Sequence, residues 1–139
     1  MYALTLYKLA GTQRAAGKLD EAKHNGERAV QIRREKLGED HPELADALDG
    51  LALTLRAQSK FDEAKARLEA SMAIRDKHPA DANTRAFTQF QLARVLWDAG
   101  DRKRAIELAT ASAERYRSAG DEQANSLKTV EDWLARHEP

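Results

Sequence analysis

The stretch Leu51-Ala52-Leu53-Thr54-Leu55-Arg56-Ala57-Gln58-Ser59-Lys60-Phe61-Asp62-Glu63-Ala64 recurs, in altered form, on either side of itself. Upstream, Leu9-Ala10 leads to Ala22 through Gly17-Lys18-Leu19-Asp20-Glu21, and downstream Leu92-Ala93 leads to Ala105 through Gly100-Asp101-Arg102. The two alanines are 12 residues apart each time, and the motif steps along the chain by 42 and then 41 residues. A fixed period of roughly 20–50 residues marks a solenoid or array. Two antiparallel helices joined by a short turn approach most closely where neither carries a long side chain. Ala10, Ala52 and Ala93 are therefore expected to face Ala22, Ala64 and Ala105, with the preceding leucine filling the space beside each contact.

This spacing resembles the tetratricopeptide repeat, a helix–turn–helix unit with Leu-small early and Ala later. The loop Leu37-Gly38-Glu39-Asp40-His41-Pro42 is similar to that of the longer kinesin-light-chain type of repeat. The resemblance implies an all-α protein, an α-α superhelix of three helix pairs followed by a C-terminal capping helix. The whole chain, 1–139, then forms one domain, with repeats at about 2–36, 43–77 and 82–119 and the cap at about 121–137. The run Val130-Glu131-Asp132-Trp133-Leu134-Ala135-Arg136-His137 resembles the tail of the tetratricopeptide regions that follow the kinase domain in some bacterial serine/threonine kinases.

Composition narrows the function classes. Apolar residues make up 42% of the chain but aromatics only 6%, so Ala and Leu supply most of the apolar content, which suits closely packed helices. Charged residues are 33% and cancel to a net charge of zero, which gives no general pull toward nucleic acid or an anionic membrane. No apolar run approaches the ~18 residues of a membrane span. The absence of cysteine removes disulfide and thiolate chemistry and fits a cytoplasmic location. Helical pattern starts directly after Met1 without a cap, which suggests a segment of a longer protein.

Along the chain, Tyr2, Leu6, Leu9 and Ala10 share one helical face. Gly17 is expected to end that helix and Asp20 to cap the next, with Ala22, Ala29 and Ile32 inward. Asn25-Gly26 is a turn signal on its own, but the repeat phase places Leu68 and Ala109 at the position of Gly26, so the helix should run through it. Pro42 fits a first helical turn. Phe61, Tyr116 and the face Val130, Trp133, Leu134 are assigned to packing, and Gly120-Asp121 should stop one helix and cap the last.

No phosphate loop, HExxH or Gly-x-Ser-x-Gly motif is present, and His24, His41, His78 and His137 lack metal-ligand spacing, so neither enzyme chemistry nor a metal or cofactor is expected. The resemblance implies a groove lined by the first helix of each unit. Its candidate residues are Tyr7 and Arg14 in unit one, Asp49, Leu53 and Arg56 in unit two, and Phe90, Arg94 and Trp97 in unit three. Arg14, Arg56 and Trp97 occupy one repeat position and should form a row. Arginine grips carboxylates and Trp anchors apolar groups, so the expected partner is an acidic, partly apolar protein or peptide segment. Alternatively the arginines are simply solvated, and Phe87, Phe90 and Trp97 pack on the last helix. The competing function class is a self-associating or regulatory spacer, joined through the exposed solenoid ends, in a larger signalling protein.

Overall fold

The alanines of the repeat pattern lie inside the protein in a computed structural model, which describes residues 2–79 and 81–137. Ala22, Ala52, Ala64, Ala93 and Ala105 are fully buried and Ala10 nearly so. The helices are α1 (Tyr2–Ala15), α2 (Leu19–Leu37), α3 (Pro42–Ala57), α4 (Phe61–Asp76), α5 (Ala82–Asp98), α6 (Arg102–Ser118) and α7 (Ala124–His137). The described residues contain no strand. α1 packs on α2, α3 on α4 and α5 on α6, and each second helix packs on the first helix that follows it, α6 on α7 included. α1 also touches α3, and α3 touches α5, so the first helices stand side by side on one face of the superhelix.

One turn type closes all three pairs. Gly17, Ser59 and Gly100 take the left-handed conformation, at φ of 79°, 61° and 98°. The next N–H then reaches back into the finished helix: Lys18 to the Gln13 carbonyl at 2.8 Å, Lys60 to Leu55 at 2.8 Å and Asp101 to Leu96 at 2.9 Å. These bonds occupy carbonyls that the helix end would leave unpaired.

The turn shifts one expected cap. Helix α2 starts directly at Leu19, with Lys18 as its N-cap and no side-chain capping bond. Asp20 lies inside the first turn, where its charge favours the helix dipole, and its Oδ1 accepts from Gln58 Nε2 at 2.9 Å. His41 caps α3: its Nδ1 accepts the Glu43 N–H at 3.0 Å, with Pro42 in the first turn. Asp121 does not cap α7 but opens a 3-10 turn, Asp121–Gln123, ahead of it.

Helix α2 runs through Asn25-Gly26 as the repeat phase requires. A β-carbon on Gly26 would lie 3.3 Å from Leu51 Cδ1, so the missing side chain lets α3 settle closely on α2. Ile32 is only half-buried, while its neighbour Arg33 is buried and donates to the Glu43 carbonyl at 2.8 Å.

Gln89 departs from the apolar pattern of its own repeat position. Leu6, Leu48 and Val130 occupy the same repeat position as Gln89 and are all buried; Gln89 is buried too, and its Oε1 has no hydrogen-bond partner among the described residues. A buried acceptor left unpaired costs about 1–3 kcal/mol. Gln89→Leu should therefore stabilise the protein by about that amount. A urea midpoint at or below the parent's would contradict this.

Candidate peptide-binding face

Residues one helical turn apart on α1, α3 and α5 project onto the shared face of the first helices. Tyr7, Arg14, Leu53, Arg56, Arg94 and Trp97 are half-buried there, while Asp49 and Phe90 are buried.

Asp49 belongs to the core rather than the groove surface, because α4 brings Arg75 beneath it. Arg75 Nη2 lies 2.7 Å from Asp49 Oδ2 and 2.8 Å from Asp46 Oδ1, and Arg75 Nε donates to Thr88 Oγ1 at 3.1 Å. Thr88 in turn donates to Asp49 Oδ2 at 2.9 Å. Arg75 and Asp49 are 4% and 5% exposed, so the pair is shielded from solvent. Burial pushes the Asp49 carboxyl up, and the Arg75 charge and its hydrogen bond oppose that. This cluster joins three helices and was hidden from the sequence, where Arg75 reads as one more arginine near a helix end.

Phe90 and Trp97 are held by α7. The Phe90 ring meets Trp133 edge-on at 5.8 Å, and Trp97 meets Trp133 edge-on at 5.7 Å. His137 stacks on Trp133 at 4.1 Å and meets Trp97 edge-on at 4.8 Å. The Arg102 guanidinium lies 4.8 Å from the Trp97 ring centre. Phe90 is thus unavailable as an exposed anchor, and Trp97 keeps only a partial face. Phe87, by contrast, is exposed.

The arginines differ in how their charge is met. Arg56 Nε pairs with Asp98 Oδ2 at 2.7 Å. Arg14 Nη1 donates to the Gly50 carbonyl at 3.2 Å. Arg94 has no carboxylate partner among the described residues: its guanidinium lies 5.8 Å from the Phe90 ring centre, and Nη1 donates to Gln91 Oε1 at 3.4 Å. Burial, and then the neighbouring Arg56 charge, lower the Arg94 pKa against the pull of Asp98. The result is a half-buried cation beside a second one.

A cavity of about 160 Å³ opens between α1 and α3. Gly11, Gly26 and Gly50 border it together with Tyr7, Leu53 and Phe87. The Arg33 guanidinium lies 5.0 Å from the Tyr7 ring centre. Among the described residues no cluster of three or more His, Cys, Asp or Glu is placed to hold a metal, and no helix is long and apolar enough to cross a membrane.

Comparison with known proteins places this architecture. A Podosopora anserina kinesin light chain structure of nearly identical TPR-like repeats superposes with a TM-score of 0.86 at 25% identity, over 96% of this chain and 64% of that one. This chain therefore spans less than two thirds of that structure. The N-terminal domain of stress-induced protein-1 from C. elegans shares the fold, with a TM-score of 0.66 at 15% identity over 93% of this chain and 94% of that one. No curated protein matches the sequence. The family model of the tetratricopeptide repeat matches residues 2–77, more than half of the length, and the chain belongs to the tetratricopeptide repeat family.

Proposed function

We propose that the chain is a non-catalytic scaffold that binds an acidic, partly apolar peptide segment of a partner protein across α1, α3 and α5, as one cytoplasmic module of a larger signalling protein. The observation that carries this reading is Arg94. A half-buried guanidinium without a carboxylate partner, beside Arg56, is satisfied best by an incoming anion. Tyr7, Arg14 and Leu53 extend the same face toward α1.

The test is selection from a displayed peptide library, followed by affinity measurements on the enriched peptides. Enrichment of Asp and Glu beside apolar residues supports the reading, and no enrichment over the input library defeats it. Arg94→Ala should weaken binding by about 1–3 kcal/mol and flatten its salt dependence, as expected for a hydrogen bond to a charged group. Arg56→Ala should cost less than about 1 kcal/mol, because Asp98 already meets its charge. Trp97→Ala should lower the melting temperature and leave affinity nearly unchanged. An affinity loss from Trp97→Ala larger than that from Arg94→Ala would make Trp97 the anchor.

One observation favours self-association as a second reading. Tyr2 and Leu9 are 54% and 43% exposed, whereas Leu44 and Leu51, which hold the same repeat positions, are buried. Sedimentation at increasing concentration separates the two readings. A dimer abolished by Leu9→Glu, in a chain that selects no peptide, favours self-association through this flank.

A further inference from the structure

We infer that the glycine-bordered cavity between α1 and α3 is the anchor pocket of the groove, and that it takes one aliphatic side chain followed in its peptide by an acidic residue. This rests on the groove reading and names the position at which a ligand is held.

Glycines of three helices border the cavity, and each stands where the other units carry a side chain. By repeat phase, Gly11 stands where unit two has Leu53 and unit three Arg94; Gly26 stands where they have Leu68 and Ala109; Gly50 stands where units one and three have Lys8 and Gln91. Leu51 takes up the place of a side chain at Gly26, 3.3 Å from where its β-carbon would lie, so the open space is the one at Gly11. A β-carbon on Gly11 would meet nothing within 4 Å, so that wall is open. A β-carbon on Gly50 would lie 3.0 Å from Tyr7 Cε1, so there the missing side chain admits the Tyr7 ring. Tyr7, Leu53, Phe87 and Leu51 give the pocket its apolar lining. At about 160 Å³ it matches one aliphatic side chain better than a drug-sized ligand, whose sites run to roughly 300 Å³ or more.

The charges around the pocket orient its occupant. Lys8 and Arg14 border it, and neither meets a carboxylate among the described residues; Arg14 spends one nitrogen on the Gly50 carbonyl and keeps its other donors. Asp49 forms part of the inner wall, with its charge held by Arg75. Burial, then Asp46 and Asp49, raise the pKa of the Tyr7 hydroxyl, and each aspartate acts on it more strongly than Arg33 or Arg14 does. The charges at the Tyr7 end are already matched, Asp46 and Asp49 by Arg75, so an acidic neighbour of the anchored side chain is directed to Lys8 and Arg14.

The experiment is an NMR titration of the full chain with acetyl-Leu-Glu-amide, acetyl-Leu-Gln-amide and acetyl-Ala-Glu-amide. The first probe should shift the amides of Gly11, Gly26 and Gly50 saturably and show contacts from its leucine methyls to the Tyr7 ring. Replacing its leucine with alanine should weaken binding more than about tenfold. Replacing its glutamate with glutamine should weaken it up to about fivefold. Gly11→Leu, which restores the residue of unit two, should melt at or above the parent temperature and lose the probe. Equal affinities for the leucine and alanine probes, no shifts at the three glycines, or an undiminished affinity in Gly11→Leu would each overturn the pocket. The methyl-to-Tyr7 contacts are read in the parent chain and decide the matter even if the variant misfolds. Library-selected peptides that bind Gly11→Leu normally but lose affinity in Arg94→Ala would sink the pocket and leave the groove reading standing.

Discussion

Trp133→Ala should destabilise the protein by about 3–5 kcal/mol, the range for removing a large buried aromatic side chain. Trp133 is 7% exposed and lies where Phe90, Trp97 and His137 converge. Its loss leaves a void between α5 and α7 that the half-buried Trp97 cannot fill without abandoning Arg102. Trp97→Ala should cost less, because part of that ring is already solvated. Urea unfolding followed by circular dichroism reads both variants without relying on tryptophan emission. A Trp133→Ala loss below about 1 kcal/mol would show that α7 lies loosely on its neighbours and that the third unit is stable without it. The consequence for the groove is direct. Trp133 holds Phe90, and the Arg94 guanidinium lies over Phe90, so loosening α7 should also blunt the preference for acidic peptides.

The alanine positions were the most legible part of the fold, because their fixed spacing marks the repeat and every one of them is buried. Gly26 shows why phase outranks a local signal: Asn-Gly reads as a turn, yet the position lies inside α2 against Leu51. His41 as a capping residue was not legible, since histidine is not among the usual N-cap types. The residues of the candidate face lie on α1, α3 and α5, which stand side by side, but their depth was not legible. Tyr7, Asp49 and Phe90 share one repeat position at the boundary between groove and core. Periodicity gives the direction of a side chain but not what the next helix places over it. Arg75 lies 26 residues from Asp49, and Trp133 lies beyond the third unit, so neither burial follows from the pattern on α3 or α5 alone. The glycine cavity was written in the sequence as three substitutions, but it emerges only once α1, α2 and α3 are assembled.

Arg75→Met should be as damaging as the loss of Trp133 and should differ from it in pH dependence. Removing one partner of a buried ion pair costs about 3–5 kcal/mol, because the other charge is left without compensation. Here that charge is Asp49, which would keep only the neutral hydroxyls of Thr88 and Ser71 as side-chain donors. Asp46, half exposed, can turn to water. In the parent, burial already raises the Asp49 carboxyl above its ordinary value, and Arg75 is the foremost influence lowering it. Without Arg75 the upward shift grows. A carboxyl whose folded pKa lies above its unfolded one binds protons more tightly in the folded state, so stability rises as pH falls through that interval. The variant should therefore be weakest near neutrality and recover as pH drops toward the ordinary aspartate value of 3.8, more steeply than the parent does. Trp133→Ala, which strands no charge, should keep a constant deficit across the same range. Arg75→Met combined with Asp49→Leu should regain most of the loss at pH 7, since an apolar pair can replace a buried ionic one. Urea unfolding of the four proteins between neutrality and mild acid is the measurement. A deficit in Arg75→Met that does not change with pH, or a double variant no better than the single one, would mean that Asp49 is not the stranded charge.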